Sequence, residues 1–263
     1  MYSGALSKMV VKYNNPVDYY LVIDNEKILL NKILNKQFSL RWLGKVKCIC
    51  NKLFSKFYRQ SFCYQCFWNA PQASQSIFKP ELCTADLGVE ERDLEWEKQF
   101  QICSHYVYLA NSSNLKVGIT RKGQHITRWI DQGASQAIKI AEVPNRRLSG
   151  LIEVAIKKHI ADRTNWRKML SGLSNSIDLV FEKERIRKFF PKELVKYFIN
   201  TNTIYDINYP VVSYPNKVSS LKMEKENLIT GKLVGIKGQY LIFENNTVFN
   251  VRAHQGFVVE FST

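Results

Sequence analysis

The sequence predicts an α+β fold: a small α/β core (a hairpin plus helices), an N-terminal β segment with a cysteine-rich insert, and a C-terminal β meander. Three observations predict it. Both ends of the chain alternate strand formers with turn pairs, the middle joins two strand-like runs to an amphipathic helix, and two cysteine pairs sit close together in a basic stretch. Of the 263 residues 45% are hydrophobic, which provides for a buried core and argues against wholesale disorder.

Residues 1–44 form the N-terminal β segment. The run Asp18-Tyr-Tyr-Leu-Val-Ile is rich in strand formers and stops at the turn pair Asp24, Asn25. Ile28-Leu-Leu and Gln37-Phe-Ser-Leu-Arg-Trp follow as short strands. The same texture returns in the meander at 231–263. Tyr240-Leu-Ile-Phe-Glu-Asn-Asn resembles Tyr20-Leu-Val-Ile-Asp-Asn-Glu, and Gly256-Phe-Val-Val-Glu-Phe resembles Gln37-Phe-Ser-Leu-Arg-Trp. Two copies of one three-stranded meander, each marginal alone, are expected to pack together. Chance similarity between short β-rich segments is the competing reading.

Residues 45–103 hold the cysteines. Cys48 and Cys50 precede Cys63-Tyr-Gln-Cys66, and two close pairs at this separation suit a zinc ribbon, in which four thiolates close a tetrahedron. The Cys-x-Cys half is one residue short of the usual knuckle, and buried free thiols are the alternative. Cys83, Cys103 and His105 are candidates for a second site, with only three ligands and loose spacing. Lys45, Lys47, Lys52, Lys56 and Arg59 surround the first cluster, interleaved with Phe54, Phe57, Tyr58, Phe62 and Tyr64. That mixture suits phosphate contact and base stacking, and equally suits a miniature aromatic core with lysines on its surface. Glu90 to Glu97 is the one acidic stretch, expected as a short solvated helix.

The formal net charge is +15. Such a surplus repels itself and points to an anionic partner, nucleic acid first, with Arg121 added to the basic positions above. Met1 to Tyr20 lacks the apolar core and cleavage site of a signal peptide, and no apolar run approaches the roughly 20 residues of a membrane span. The expectation is a cytoplasmic protein without membrane contact, where clustered cysteines serve metal binding or catalysis.

Residues 104–172 read as strand, turn, strand and helix. His105-Tyr-Val-Tyr-Leu-Ala and Leu115-Lys-Val-Gly-Ile-Thr flank the turn Asn111-Ser-Ser-Asn. Ser149 is the expected N-cap of a helix whose face runs through Leu151, Ile152, Ala155, Ile156 and Ile160, with Glu153 and Lys157 beside it. In 173–230, helical periodicity from Phe181 to Asn200 is broken by Pro191. Tyr209-Pro-Val-Val-Ser-Tyr-Pro then reads as an extended linker.

Tyr106-Val-Tyr108 resembles the first motif of the GIY-YIG nuclease superfamily, and Lys116-Val-Gly118 the second. Arg128, Glu153 and Asn165 fall where that superfamily keeps its arginine, metal-binding glutamate and terminal asparagine. The whole chain also resembles a bacterial domain-of-unknown-function family. The blocks that carry this are His105-Tyr-Val-Tyr-Leu-Ala-Asn-Ser-Ser, Lys116-Val-Gly-Ile-Thr-Arg, Thr127-Arg-Trp-Ile-Asp-Gln-Gly-Ala, Ser149-Gly-Leu-Ile-Glu, Thr164-Asn-Trp-Arg and Gly235-Ile-Lys-Gly-Gln-Tyr-Leu-Ile.

The superfamily resemblance implies Mg²⁺-dependent phosphodiester hydrolysis. Glu153 would hold the metal, Tyr108 orient or deprotonate water, Arg128 stabilise the developing charge and Asn165 position Glu153. Two departures stand against catalysis. Lys116 replaces the tyrosine of the second motif, and Asp131 and Gln132 occupy the stretch where a histidine is often found; His159 is the nearest substitute. The function expected is therefore nucleic-acid binding, DNA or RNA, by a protein with a GIY-YIG nuclease-like domain. The alternative is a non-catalytic, zinc-containing DNA- or RNA-binding or assembly protein.

Overall fold

Alternating apolar and polar residues build the larger sheet, because successive side chains on a strand face opposite sides. In the computed structural model, which describes residues 2–160, 165–172 and 175–263, the chain opens with β1 (Tyr2–Lys12), β2 (Asp18–Ile23), β3 (Glu26–Leu29) and β4 (Gln37–Lys47). Asp24 turns the β2–β3 hairpin at φ 47°, a left-handed conformation that aspartate tolerates. The insert follows with β5 (Leu53–Phe54), α1 (Tyr64–Asn69) and α2 (Leu94–Gln101). The middle comprises β6 (His105–Asn111), β7 (Leu115–Arg121), α3 (His125–Asp131), β8 (Gln136–Val143), α4 (Arg146–Lys157) and α5 (Trp166–Leu170). After it come α6 (Leu179–Arg187), β9 (Ile204–Asp206), β10 (Ser219–Leu221), β11 (Leu228–Lys237), β12 (Tyr240–Phe243), β13 (Thr247–Asn250) and β14 (Phe257–Ser262).

The two ends of the chain share one ten-stranded sheet of order β10-β13-β12-β11-β4-β14-β1-β2-β3, with β5 on β4. Each end lends its last strand to the other. β14 pairs with β1, β4 pairs with β11, and β4 and β14 pair with each other, all antiparallel. Arg41 lies opposite Glu260, its counterpart when the two similar segments are aligned, so an approximate two-fold relation passes through that pair. The exchange resolves the marginality of a lone meander. Phe38 packs against Phe243 and Phe261 with tilted rings at the centre, with Leu6, Leu21 and Leu233 in the same core.

A second, four-stranded sheet has the order β7-β6-β8-β9. Val107, Leu109, Ile138 and Ile140 on one face meet Ile152 and Ile156 of α4 and Leu179 and Ile186 of α6. Tyr108 and Ala110 on the other face, with Trp129 and Ile130 of α3, join the core of the large sheet. The two sheets therefore share buried side chains, and α3 lies where they meet.

Three local expectations change. Ser149 does not cap α4: Asn145 does, its Oδ1 accepting the Leu148 N–H at 2.9 Å, while Ser149 Oγ donates to the Arg146 carbonyl at 2.7 Å. Asparagine caps as well as serine, and the earlier start brings Arg146 onto the helix. The stretch after α6 is tied down and is no free linker. Pro191 opens a separate 3-10 turn at Lys192–Tyr197, β9 extends the smaller sheet, the Tyr209 hydroxyl donates to the Ala134 carbonyl at 2.7 Å, and Val212 N–H donates to the Val234 carbonyl at 2.8 Å.

The acidic stretch also differs. Glu97 is fully buried, and its carboxylate accepts the backbone N–H groups of Glu91, Arg92 and Asp93 at 3.0, 2.7 and 3.2 Å. Arg92, held there, donates to the carbonyls of Phe67 and Ala70. Glu97→Ala is expected to destabilise by about 3 kcal/mol, because three amide donors lose the one buried carboxylate that accepts from them. Urea unfolding checks this, with Glu97→Gln falling between the two.

Candidate functional site

The cysteines are gathered by two tight turns and a helix start. β4 ends at Lys47, and the chain reverses through Asn51 at φ 63°, whose N–H donates to the Cys48 carbonyl at 2.8 Å. Gln60 and Ser61, at φ 51° and 67°, make a second reversal between Arg59 and Phe62. Paired left-handed residues give the twist a two-residue hairpin needs. Cys63 then precedes α1 as its N-cap and Cys66 lies in the first helical turn, so the second pair stands on a helix start.

The sulfurs of Cys48, Cys50, Cys63 and Cys66 all lie within 4.8 Å of one another. Four thiolates about 2.3 Å from a tetrahedral zinc are about 3.8 Å apart, so small adjustments close the site. Cys63 N–H donates to Cys48 Sγ at 3.2 Å. The backbone N–H of Cys66 draws the Cys63 thiol down to about 7, whereas burial and then the neighbouring thiols push Cys66 up. Four thiolates at this spacing repel strongly, and a dication removes that repulsion. The cluster is thus a four-cysteine set able to hold a metal ion, and its all-sulfur donors suit structural zinc.

Around it Lys45, Lys52, Lys56 and Arg59 are exposed, while Lys47 is half-buried and paired with Asp24 at 3.3 Å. Phe54 and Phe57 pack inward against the large core. Tyr58, Tyr64 and Trp68 face outward, with the Arg59 guanidinium over the Tyr58 ring at 5.5 Å. The aromatics thus divide between the insert's core and its surface.

Cys103 Sγ lies 3.9 Å from His105 Nδ1, but Cys83 does not join them in a ligand set. The Cys83 thiol lies against the Ser76 carbonyl and the Cys103 thiol against the Phe100 carbonyl, and among the described residues only the four cysteines form a cluster of metal-ligating side chains. His105 is fully buried, donates through Nδ1 to the Cys103 carbonyl at 2.7 Å and has no partner at Nε2. Burial holds its pKa down at about 4. An unfolded histidine titrates near 6.5, so the unfolded chain takes up this proton first as pH falls. The stability His105 contributes is whole above pH about 6.5 and declines to its floor near pH 4, a loss of about 3 kcal/mol. Urea unfolding over that range should show a steeper slope in the wild type than in His105→Gln, where the lowered His125 keeps a share of it.

A cavity of about 720 Å³ opens between β7, α3 and α4, closed on one side by Ile77, Phe78 and Pro80 of the insert and on another by Lys8 and Arg252 of the large sheet. Its wall carries, among the described residues, seven cations, Lys8, Lys116, Arg121, Arg128, Arg146, Lys157 and Arg252, against two carboxylates, Asp131 and Glu153. Both carboxylates are engaged. Asp131 accepts from Lys8 and from Gln239, each at 2.8 Å, and Glu153 lies 3.4 Å from Lys157.

Arg146, Gly150, Glu153 and Lys157 share one face of α4 by helical spacing. Gly150 lets that helix approach the insert: a Cβ there would lie 2.4 Å from Glu81 N and 2.6 Å from the Pro80 carbonyl carbon. Arg146 donates to the Ile77 carbonyl at 2.8 Å, and its Nε is buried without a hydrogen-bond partner. Burial lowers its pKa, and the neighbouring Arg128 lowers it further. Burial raises Glu153, against the pull of Lys157, Arg128 and Arg146. Arg128 thus sits among Glu153, Arg146 and Arg252, close enough to perturb each.

Of the residues singled out in the sequence, Lys116, Arg121, Arg128 and Glu153 line this cavity. Arg121 lies over the Phe100 ring of α2 at 4.8 Å. Tyr108 lies beneath the wall, fully buried, with its hydroxyl donating to Gln132 Oε1 at 2.9 Å. Its ring presses on Gly118, where a Cβ would lie 2.6 Å from the hydroxyl oxygen. Burial raises its pKa, so it stays protonated. Asn165 is elsewhere: it caps α5, accepting the Lys168 N–H at 3.1 Å, and is absent from the cavity wall. Thr164, which opens the Thr164-Asn-Trp-Arg block, lies outside the described residues. His159 stacks on Phe189 with centroids 3.6 Å apart. Sequence reasoning missed Lys8, Arg146 and Arg252.

No described helix is long and apolar enough to cross a membrane. Comparison with curated proteins and with solved structures gives no match to the chain. A family model described as "Protein of unknown function (DUF2797)" matches residues 35–259, which takes in the cysteine cluster, the cationic cavity and most of both sheets. The chain belongs to the DUF2797 family.

Proposed function

We propose that this is a zinc-containing nucleic-acid-binding protein that grips a backbone phosphate in the cavity between β7, α3 and α4, on a GIY-YIG-like domain spanning 104–172. One observation carries the reading: seven cations converge on one cavity whose two carboxylates are already engaged. A phosphate diester supplies the missing anion, and guanidinium groups bind it through charge-assisted forks. Arg146 lines this cavity and keeps a buried Nε without a hydrogen-bond partner. The β6–β7 hairpin followed by the helices α3 and α4, as expected of a hairpin-plus-helices core, supports the GIY-YIG-like assignment. The exposed lysines and the outward Tyr64 and Trp68 of the cysteine insert extend the basic surface.

Mg²⁺-dependent phosphodiester hydrolysis is the second reading, and the position of Glu153 in the cavity wall favours it. Magnesium is commonly held by one or two carboxylates, water and substrate phosphate, and Glu153 fits as the single protein ligand. Binding without cleavage accounts better for the rest. Tyr108 is sealed under Gly118 and stays protonated, and Glu153 is paired with Lys157.

Titration of labelled oligonucleotides tests both. Arg128→Ala and Arg146→Ala are each expected to weaken binding about tenfold, the loss of one charge-assisted contact. Lys56→Ala, on the exposed insert, should change it far less. Unchanged affinity in both arginine variants would remove the cavity from the interface. On a mixed panel with Mg²⁺, cleavage by the wild type that disappears in Glu153→Ala would establish the second reading, and equal cleavage by both would assign it to a contaminant.

A further inference from the structure

The cationic cavity continues past Arg252. A second concavity of about 450 Å³ shares Asp131, Gln132 and Arg252 with the first and is walled by Trp166, Met169, Gln239, Tyr240, Asn250 and Ala253. Its chemistry is different. Arg252 is the only cation on its wall among the described residues, and the rest is aromatic, thioether, methyl and amide apart from Asp131. Trp166 of α5 and Tyr240 of β12 are parallel within 5°, with centroids 5.8 Å apart. Both rings form part of the concavity's wall. Both side chains are half-buried, which fixes them without hiding them. The Arg167 guanidinium backs Trp166 at 4.3 Å from its centroid.

Two features orient an occupant. Gln132 Oε1 is occupied by the Tyr108 hydroxyl, which leaves its amide nitrogen as a donor. Gln239 is locked, its amide spanning Met9 and Asp131, and so holds the shared wall in place. The ligand that fits both concavities has an anionic end, a flat apolar end and polar edges, joined by a short link. A nucleotide has that form. A base stacked inside a continuous duplex cannot offer its face to a side chain, whereas an unpaired base can.

We propose that the Trp166–Tyr240 concavity receives the base of an unpaired nucleotide whose phosphate lies among Arg128, Arg146 and Arg252, so that the protein acts on single-stranded or locally opened nucleic acid. This rests on the phosphate-binding reading above and extends it to a substrate class. α5 thereby acquires a role in recognition: it carries Trp166 to the mouth of the cavity, with Asn165 fixing its first turn.

Fluorescence anisotropy with the full-length protein tests it against four probes: a short single strand, the same strand carrying abasic sites, the blunt duplex of that sequence, and a nucleoside monophosphate as competitor. The base-bearing strand is expected to bind about tenfold more tightly than the abasic strand, the size of one stacking contact. Trp166→Ala should bring the two to near parity. The wild-type comparison needs no variant and so survives any misfolding of Trp166→Ala. Equal binding of base-bearing and abasic strands, or of strand and duplex, overturns the base subsite and leaves phosphate binding standing. A monophosphate competing as well as the strand overturns the assignment to a strand. Failure of every probe to bind overturns both proposals.

Discussion

Cys66→Ser is expected to abolish metal retention and unfold the cysteine insert, at a cost of more than about 5 kcal/mol. Around the four cysteines the insert has little regular structure of its own. α1 buries none of its residues, β5 is two residues long, and the chain from Pro71 to Leu87 is a series of 3-10 turns. Where apolar burial is this thin, a tetrahedral metal acts as the core, and in small zinc domains its binding free energy is the folding free energy. The damage should spread. Arg92 is anchored on the carbonyls of Phe67 and Ala70, and Arg146 on that of Ile77, so a loosened insert releases one wall of the cationic cavity. Metal analysis should find about one zinc per wild-type chain. Chelation should expose residues 55–70 to protease while the two sheets stay resistant. A metal-free preparation with the same resistance would mean that the four sulfurs are buried thiols.

Gly150→Ala is the second large effect, with an expected loss of about 3 kcal/mol. The added methyl meets backbone atoms, Glu81 N at 2.4 Å and the Pro80 carbonyl carbon at 2.6 Å, and backbone cannot swing aside as a long side chain can. Either α4 withdraws from the insert or the turn at Pro80–Leu82 shifts. Both movements widen the cavity, since α4 carries Arg146, Glu153 and Lys157 and the insert supplies Ile77, Phe78 and Pro80. Weaker oligonucleotide binding should therefore accompany the lost stability. Leu151→Ala, at an exposed position on the same helix, is the control and should cost well under half as much. Urea unfolding of the two variants separates a steric effect at Gly150 from a general weakening of α4.

How much of this the sequence discloses depends on the range of the signal. Strands at both ends are legible because alternation is local, and the likeness of Tyr240-Leu-Ile-Phe to Tyr20-Leu-Val-Ile exposes the repeat. The exchange of β4 and β14 between copies is not legible, because pairing partners are fixed by packing in three dimensions. Cysteine spacing reveals the four-thiol cluster, but the helix under Cys66 carries no strong propensity signal of its own. Arg146 was within reach: with Asn145 recognised as the cap, it falls on the face of Glu153 and Lys157. Lys8 and Arg252 were not, since they reach the cavity from β1 and from the 3-10 turn at Arg252–His254, far away in sequence. Glu97 misleads because an acidic run usually faces solvent, and only the fold reveals three amides waiting for its carboxylate.

The salt dependence of binding tests the phosphate-gripping cavity most directly. The logarithm of the single-strand binding constant should fall linearly with that of salt concentration, by about 0.7 per phosphate neutralised. Arg128→Ala should lower the steepness of that line by about the share of one contact, and Arg146→Ala likewise. Identical slopes for the wild type and both variants, or affinity indifferent to salt, would contradict it.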